Sequence, residues 1–374
     1  MNLLANDVFT GQPIAIEIVD AVARVQPTSI ADPECYISPA WCDIQVNGFG
    51  GFDANAADTQ PADITGLVRR LWQDGVGRCL PTVITQSAAH IQHCLRAIAT
   101  ACEADAAVRA SIVGIHLEGP YLSPLEGARG AHPPEHIRRP EWDEFLRFQD
   151  AAQGSIRLVT LAPEVPGAIP FIGKLVQAGI VVAIGHSLAT TDEVRAAVDA
   201  GATLSTHLGN GAPAMLPRHP NLIWDQLAED RLFASAIFDG HHLPASVMRV
   251  LLRAKGIDKT ILTSDAVALA HMPPGIYERQ VGGKVELSSS GRLSVYGTPY
   301  LAGSASSLKD CIENAMTMAG CTLAQACQMV TLNPAALLEL PDAPESFTVF
   351  RWGGGPRLQV IATVVDGHVV WQAQ

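Results

Sequence analysis

IVVAIGHSLATTDEVRAAVDAGATLSTH, residues 180–207, is the stretch whose reading decides the fold. Two short apolar runs rich in β-branched residues, 180–184 and 203–206, flank an amphipathic helical pattern over 191–200. Strand, helix and strand in that order imply two parallel neighbours with the helix packed across them. Each run is followed by a histidine, His186 after VVAIG and His207 after TLST. The unit therefore delivers one imidazole at the end of each strand.

The same alternation extends outward along the chain. Candidate strands fall at 40–46, 77–83, 111–117, 156–161, 180–184, 203–206, 233–238 and 260–263, with amphipathic stretches at 61–73, 90–107, 170–178, 191–200 and 244–254. Apolar strands alternating with helices predict a parallel sheet covered by helices, and eight such units match the size of a (β/α)₈ TIM-like barrel. An open doubly wound sheet is the alternative. Two further strand ends carry carboxylates, Glu118 after SIVGIHL and Asp265 after TILTS. Barrels build active sites at the C-terminal ends of their strands, so sequence separations of 68, 21 and 58 between these four residues do not prevent their convergence.

Outside the barrel, both ends of the chain alternate apolar and polar residues, as in LQVIATVVDGHVVW, where Asp366-Gly367 signals a hairpin turn. Residues 1–38 together with 335–374 are expected to form one small β module beside a barrel spanning 39–334. Pro273, Pro274, Gly282, Gly283 and Gly297 mark an excursion expected to be a hairpin or lid near the mouth.

Composition narrows the function classes. The 374 residues are 48% apolar and 17% charged, which fits a compact, heavily buried protein. A net charge of -12 and the lack of a basic cluster argue against a nucleic-acid partner. Eight scattered cysteines without a CxxC pair read as reduced thiols. The N-terminus has no secretory pattern, and no uncharged apolar run reaches the roughly 18 residues of a membrane span. A soluble, cytoplasmic protein is expected.

A carboxylate, two imidazoles and a second carboxylate at strand ends suit three ligands for a divalent metal plus a base for its water. Each residue has a plainer alternative: a hydrogen-bonded core or loop histidine, a helix N-terminal carboxylate for Glu118, a cap for Asp265. The ordered set favours the metal. His116 alternates away from Glu118, so a packing role is expected for it.

The segments SPAWCDIQVNG, GIHLEGPYLSP, RGAHPP, AIGHS, STHLGN, FDGHHLP, LTSDA and LAGS run in this order over nearly the whole chain. Together they resemble the amidohydrolase superfamily, and most closely its N-acetylglucosamine-6-phosphate deacetylase family. The resemblance implies a distorted barrel with a β-sandwich from both termini, and release of acetate from N-acetylglucosamine 6-phosphate to leave glucosamine 6-phosphate. It implies Glu118, His186 and His207 as metal ligands and Asp265 as general base and acid. His242 would contact the substrate near the scissile carbonyl and stabilise its oxyanion; only its family position favours it over His241. His132 would meet the sugar or its phosphate, and Asn210 and Arg218 would bind the substrate, Arg218 at the phosphate, with a solvated surface arginine as the alternative. Ala302, Gly303 and Ser304 would line the pocket.

Many amidohydrolases carry His-x-His on the first strand to hold a second metal, where this chain has Gln45 and Asn47. Amides are poor replacements for imidazole, so one divalent metal is expected: zinc first, with iron, manganese or cobalt as alternatives. The run HLGNGAPAM departs from the family's shorter loop, and Gly211, Ala212 and Pro213 reshape the substrate end. That departure keeps open a related amidohydrolase acting on another N-acyl sugar or N-acyl amino acid; a non-catalytic barrel is the third reading. Family members can take the phosphate-binding arginine from a neighbouring subunit, which implies a homodimer.

Overall fold

A computed structural model of the chain describes residues 2–279, 283–298 and 300–374. Eight strands, Trp41–Val46, Val76–Ile84, Ile115–Glu118, Ile156–Leu161, Val181–Ile184, Leu204–Ser205, Phe233–Ala236 and Thr260–Leu262, lie side by side in sequence order, all parallel. A doubly wound sheet reverses its order at a switch point. This one does not. Trp41–Val46 is buried at every residue, as a strand must be when helices cover one face and a barrel interior the other.

The helices present the complementary stripes. Pro61–Gln73 buries Ile64, Leu67, Val68, Leu71 and Trp72, one face of a 3.6-residue period. Thr191–Asp199 starts where the Thr190 hydroxyl accepts the Glu193 N–H while the Glu193 carboxylate accepts the Thr190 N–H. The expected helix over 90–107 and the strand start at Ser111 are corrected by one residue, Asp105. Its carboxylate accepts the N–H groups of Ala107 and Val108 at 2.9 and 3.2 Å, which caps a separate short helix, Ala106–Ser111, and delays the strand to Ile115.

Closure of the barrel is not by a ladder. The residues after the eighth strand reach the first through one bridge, Val46 to Ala266, and through backbone bonds from Asp265 N to Gln45 O at 3.0 Å and from Asn47 N and Gly48 N to Ala266 O at 2.8 and 3.1 Å.

The termini do build one β module, but the expected sandwich is corrected to a closed seven-stranded barrel. Asn2–Asp7 pairs antiparallel with Pro13–Val19 on one side and parallel with Cys35–Pro39 on the other; Cys35–Pro39 then pairs with Phe347–Arg351, and His368–Gln372 meets Val22–Pro27. Every strand has two neighbours, so no edge remains and one sheet encloses Ala5, Ile16, Ile37, Val349 and Val364. The Asp366-Gly367 hairpin joins Gln359–Val365 to His368–Gln372.

The proline- and glycine-marked excursion is a three-stranded antiparallel sheet, Gly275–Arg279, Gly283–Leu287 and Leu293–Val295; Gly282 lies outside the described residues. Its apolar face, Val285, Leu287 and Leu293, packs on Leu269. All eight cysteines are free. Among the described residues, no helix is long and apolar enough to cross a membrane.

Candidate metal centre

Glu118 is the last residue of its strand, while His186, His207 and Asp265 lie just beyond theirs, all at the C-terminal mouth of the barrel. The last three share a left-handed backbone, with φ of 49°, 31° and 47°. Non-glycine residues avoid this region at a cost of about 1–2 kcal/mol each, and its appearance at three converging polar residues marks a site where surroundings override local preference. The anchors are specific: His207 N donates to Ser235 Oγ at 2.7 Å, Asp265 N to Gln45 O at 3.0 Å, and the His186 carbonyl accepts from Ser123 N at 3.0 Å.

Three ligand atoms converge. His207 Nε2 lies 3.0 Å and His186 Nε2 3.3 Å from Glu118 Oε1, and the two imidazole nitrogens are 3.1 Å apart. The other nitrogen of His186, Nδ1, lies 3.0 Å from the Ala128 carbonyl, which can only accept. Nδ1 therefore carries the hydrogen, and Nε2 aims its lone pair at the other ligands. Burial works to raise the Glu118 carboxyl, yet the two imidazoles prevail and hold it well below the usual carboxylate range. Burial likewise opposes a proton on His207, but the bond to Glu118 holds its pKa above the ordinary value. A buried carboxylate and two inward-facing imidazoles are a donor set suited to a divalent cation. Among the described residues, no other group of three such side chains is close enough to hold an ion.

The first strand supplies donors instead of ligands. Gln45 Nε2 donates to Glu118 Oε1 at 2.9 Å, and Asn47 Nδ2 donates to Asp265 Oδ1 at 2.7 Å. Carboxylates only accept, so both amides must turn their NH₂ groups toward them. Burial, with the nearby Glu118 charge, pushes the Asp265 carboxyl up to about 7.

Asn47, Glu118, His186, His207 and Asp265 wall a cavity of about 360 Å³, whose apolar side is formed by Ile84, Ile237, Val267 and Leu301, with Tyr300 at 72% exposure. His132, Asn210, Gly211, His242, Ala302 and Gly303 also line it. His132 Nε2 lies 3.2 Å from His186 Nε2, and burial pushes its pKa down to about 3. His242 and His241 part company here. His242 faces the cavity with Nδ1 2.7 Å from Asp239 Oδ2, whereas His241 turns to the Ser290 carbonyl at 3.1 Å. Gly211, at φ +59°, packs its backbone on the ligand rings: a Cβ there would lie 2.9 Å from His186 Nδ1 and 3.1 Å from His207 Cε1.

Two of the expected substrate contacts lie elsewhere. Arg218 is exposed and does not line the cavity. Ser304 is buried behind Asp265, with its N–H 3.4 Å from the Asp265 carbonyl. His116 is buried against Thr160 Oγ1 at 2.7 Å, away from the cavity lining, as its alternation indicated. The sequence reading did not single out Asp239 or Asp43. For Asp239 the signal is its position three residues before His242, and for Asp43 its place two residues before Gln45 on the same strand face.

No protein-family model matches the chain. An N-acetylgalactosamine-6-phosphate deacetylase of Escherichia coli O157:H7 is 34% identical over 367 residues, covering 96% of this chain and 92% of the relative. An N-acetylglucosamine-6-phosphate deacetylase of Bos taurus is 33% identical, covering 91% and 84%. The structure of a mutant N-acetyl-D-glucosamine-6-phosphate deacetylase from Mycobacterium smegmatis, in complex with N-acetyl-D-glucosamine-6-phosphate, superimposes with a TM-score of 0.85 at 28% identity over 99% of both chains. Ordered motifs, barrel and near full-length identity agree: the chain belongs to the N-acetylglucosamine-6-phosphate deacetylase family of the amidohydrolase superfamily.

Proposed function

We propose that this chain is a metal-dependent amide hydrolase that removes the acetyl group of N-acetylglucosamine 6-phosphate, giving glucosamine 6-phosphate and acetate. The observation that carries the reading is the convergence of Glu118, His186 and His207 with Asp265 in one cavity, in a chain with deacetylase relatives along most of its length. Glu118, His186 and His207 hold one divalent cation, zinc first, since this donor set also accepts iron, manganese and cobalt. When bound, the ion supplies Lewis-acid polarisation of water and of the acetamido carbonyl. Asp265 takes a proton from the water whose oxygen bonds the carbonyl carbon, and returns it to the nitrogen as the C–N bond breaks. Asn47 occupies Oδ1 of that carboxylate, leaving Oδ2 to carry the proton. His242, whose Nδ1–H is held by Asp239, stabilises the negative charge developing on the carbonyl oxygen through a hydrogen on Nε2, as an imidazolium would supply.

His132, Asn210, Gly211, Ala302 and Gly303 contact the sugar. Among the described residues, neither lysine nor arginine lines the cavity. That supports a homodimer in which the exposed Arg218 of one subunit binds the phosphate at the mouth of the other, by the planar donor array of a guanidinium. A second reading, N-acetylgalactosamine 6-phosphate, is favoured by the name of the 34% identical relative. The test is acetate release by metal-loaded protein from both sugar phosphates, from N-acetylglucosamine and from an N-acetyl amino acid. The proposal expects turnover of the glucosamine phosphate above all others, and an about 10²–10⁴-fold lower kcat in Asp265→Asn with its metal retained. No acetate from either phosphate refutes it, and faster release from the galactosamine compound selects the second reading.

A further inference from the structure

Asp43 is an acid in the barrel interior with no exposed surface, on the first strand two residues before Gln45. Burial pushes its carboxyl up, opposed only by hydrogen bonds from Ser264, Thr263 and Gln45. Its oxygens accept the Thr263 hydroxyl at 2.7 Å, the Ser264 N–H at 3.2 Å, the Gln45 N–H at 3.3 Å, and the Ser264 hydroxyl. Ser264 Oγ in turn accepts the N–H of Ala266 at 3.1 Å. The residues on both sides of Asp265 are thereby tied to one buried carboxylate.

The location explains why an acid is needed there. A regular ladder between the first and eighth strands would hold residues 263–265 extended, yet Asp265 must leave that line at φ 47° to face the cavity. The ladder is indeed missing, with one bridge, Val46 to Ala266, across the seam. A side-chain acceptor takes its place, satisfying main-chain and hydroxyl donors while leaving the backbone free to turn. Alternation does the rest: Asp43, Gln45 and Asn47 share a strand face, and bind respectively residues 263–264, Glu118 and the Asp265 carboxylate.

We infer that Asp43 is a positioning residue for the reaction, fixing through Ser264 and Thr263 the left-handed turn on which Asp265 stands. The inference rests on the reading of Asp265 as the proton-transferring base. An apolar or amide side chain at position 43 leaves donors unmatched, and the base drifts from its place without the metal ligands being touched.

The test uses the full-length, metal-loaded protein. Asp43→Asn keeps the shape but turns an NH₂ toward donors; since displacing a reacting group by about 1 Å costs about 10²-fold, kcat is expected to fall about 100-fold with KM and metal content within about twofold. Ser264→Ala, the milder variant, is expected to lose about tenfold in kcat, and Ser264→Thr, which keeps the hydroxyl, to recover most of it. Amide hydrogen exchange supplies a readout independent of turnover: the peptide spanning 262–267 is expected to exchange faster in Asp43→Asn while the other strands keep their protection. Unchanged kcat, or exchange that rises across the whole barrel with a matching fall in Tm, overturns the inference and leaves Asp43 as a closure residue. Wild-type protein inactive on every acetamido substrate would sink the functional reading instead, and the exchange of 262–267 would still decide what Asp43 holds.

Discussion

Gly211→Ala is the sharpest test of how the mouth is built, because two physical terms predict opposite signs. A glycine-to-alanine change that the backbone tolerates stabilises a protein by about 0.4–1 kcal/mol, through the entropy of the unfolded chain. At φ +59° the backbone does not tolerate it, and the left-handed region costs about 1–2 kcal/mol for a residue with a Cβ. The new Cβ also meets His186 Nδ1 at 2.9 Å, closer than real Cβ contacts come, and that ring cannot yield freely because Nδ1 is committed to Ala128 O. Relief must come from the loop or from the ligand triangle. If the strain falls on the metal-bound geometry, about 1–2 kcal/mol weakens metal affinity about 5–30-fold, overlapping the low end of the about 10–100-fold lost when support of ligating histidines is removed. Gly154→Ala is the control, since Gly154 has φ +79° but nothing within 4 Å of its would-be Cβ. It carries the backbone term without the ring contact. Zinc competition against a chromophoric chelator, with melts recorded with and without metal, separates the two. Equal metal affinity in Gly211→Ala and Gly154→Ala would refute the claim that Gly211 is glycine because of the ligand rings.

Three further outcomes follow from the same geometry. His242→Ala should lower kcat by about 10²–10³-fold, the usual cost of an oxyanion donor, whereas His241→Ala, whose ring faces Ser290, should stay within about twofold; equal losses in steady-state acetate release would contradict the assignment. Metal binding should release protons at neutral pH, because Glu118 raises the pKa of His207 and burial raises that of Asp265 to about 7, and a cation beside them favours the deprotonated forms. Acidification through neutrality must then weaken metal binding, and calorimetric heats that do not depend on the buffer's ionisation enthalpy would rule this out. The folded protein should show at most two slowly reacting thiols, Cys102 and Cys321, against eight in urea: burial pushes Cys42 and Cys94 up to about 12, and holds Cys79 and Cys311 well above the ordinary value. A third reactive thiol in the native state would contradict the burial pattern.

The barrel was legible because a strand covered on both faces need show no polar alternation, and VVAI reads as a continuous apolar run. The third strand's start was not, because SIV has strand composition while the cap that fixes it, Asp105, lies outside the run. The terminal module failed in a different way. Alternation is the same in a sandwich and a closed barrel, and what closes this one is the pairing of residues 2–7 with residues 35–39, which no local pattern encodes. In the site, strand-end polarity pointed to Glu118, His186, His207 and Asp265, and the structure brings them to one mouth. Adjacent residues were harder: His241 and His242 differ only in the direction their rings take, which Asp239 sets by accepting both N–H groups and one ring nitrogen. Arg218 entered through the family resemblance, which does not report that its loop leaves it exposed and off the wall of its own subunit's cavity.

The left-handed backbone at His186, His207 and Asp265 ties these two halves together. A strand that ran straight on would send successive side chains alternately inward and outward, so one strand end would present one residue to the mouth and point its neighbour into the helices. Turning the chain at the polar residue aims that side chain across the mouth and lets the loop fold back over it, as Gly211 does over the two rings. Three such turns cost several kcal/mol together, at about 1–2 kcal/mol each, and persist only where anchors outweigh them. Ser235 anchors His207, Ser123 and Ala128 anchor His186, and the first strand anchors Asp265 at backbone and carboxylate at once. The first strand offers the site no imidazole. What it offers at Gln45 and Asn47 is a pair of donors that hold two carboxylates a fixed distance apart, and a one-residue slip of its register would replace both with Ile44 and Val46, leaving each carboxylate buried and unaimed.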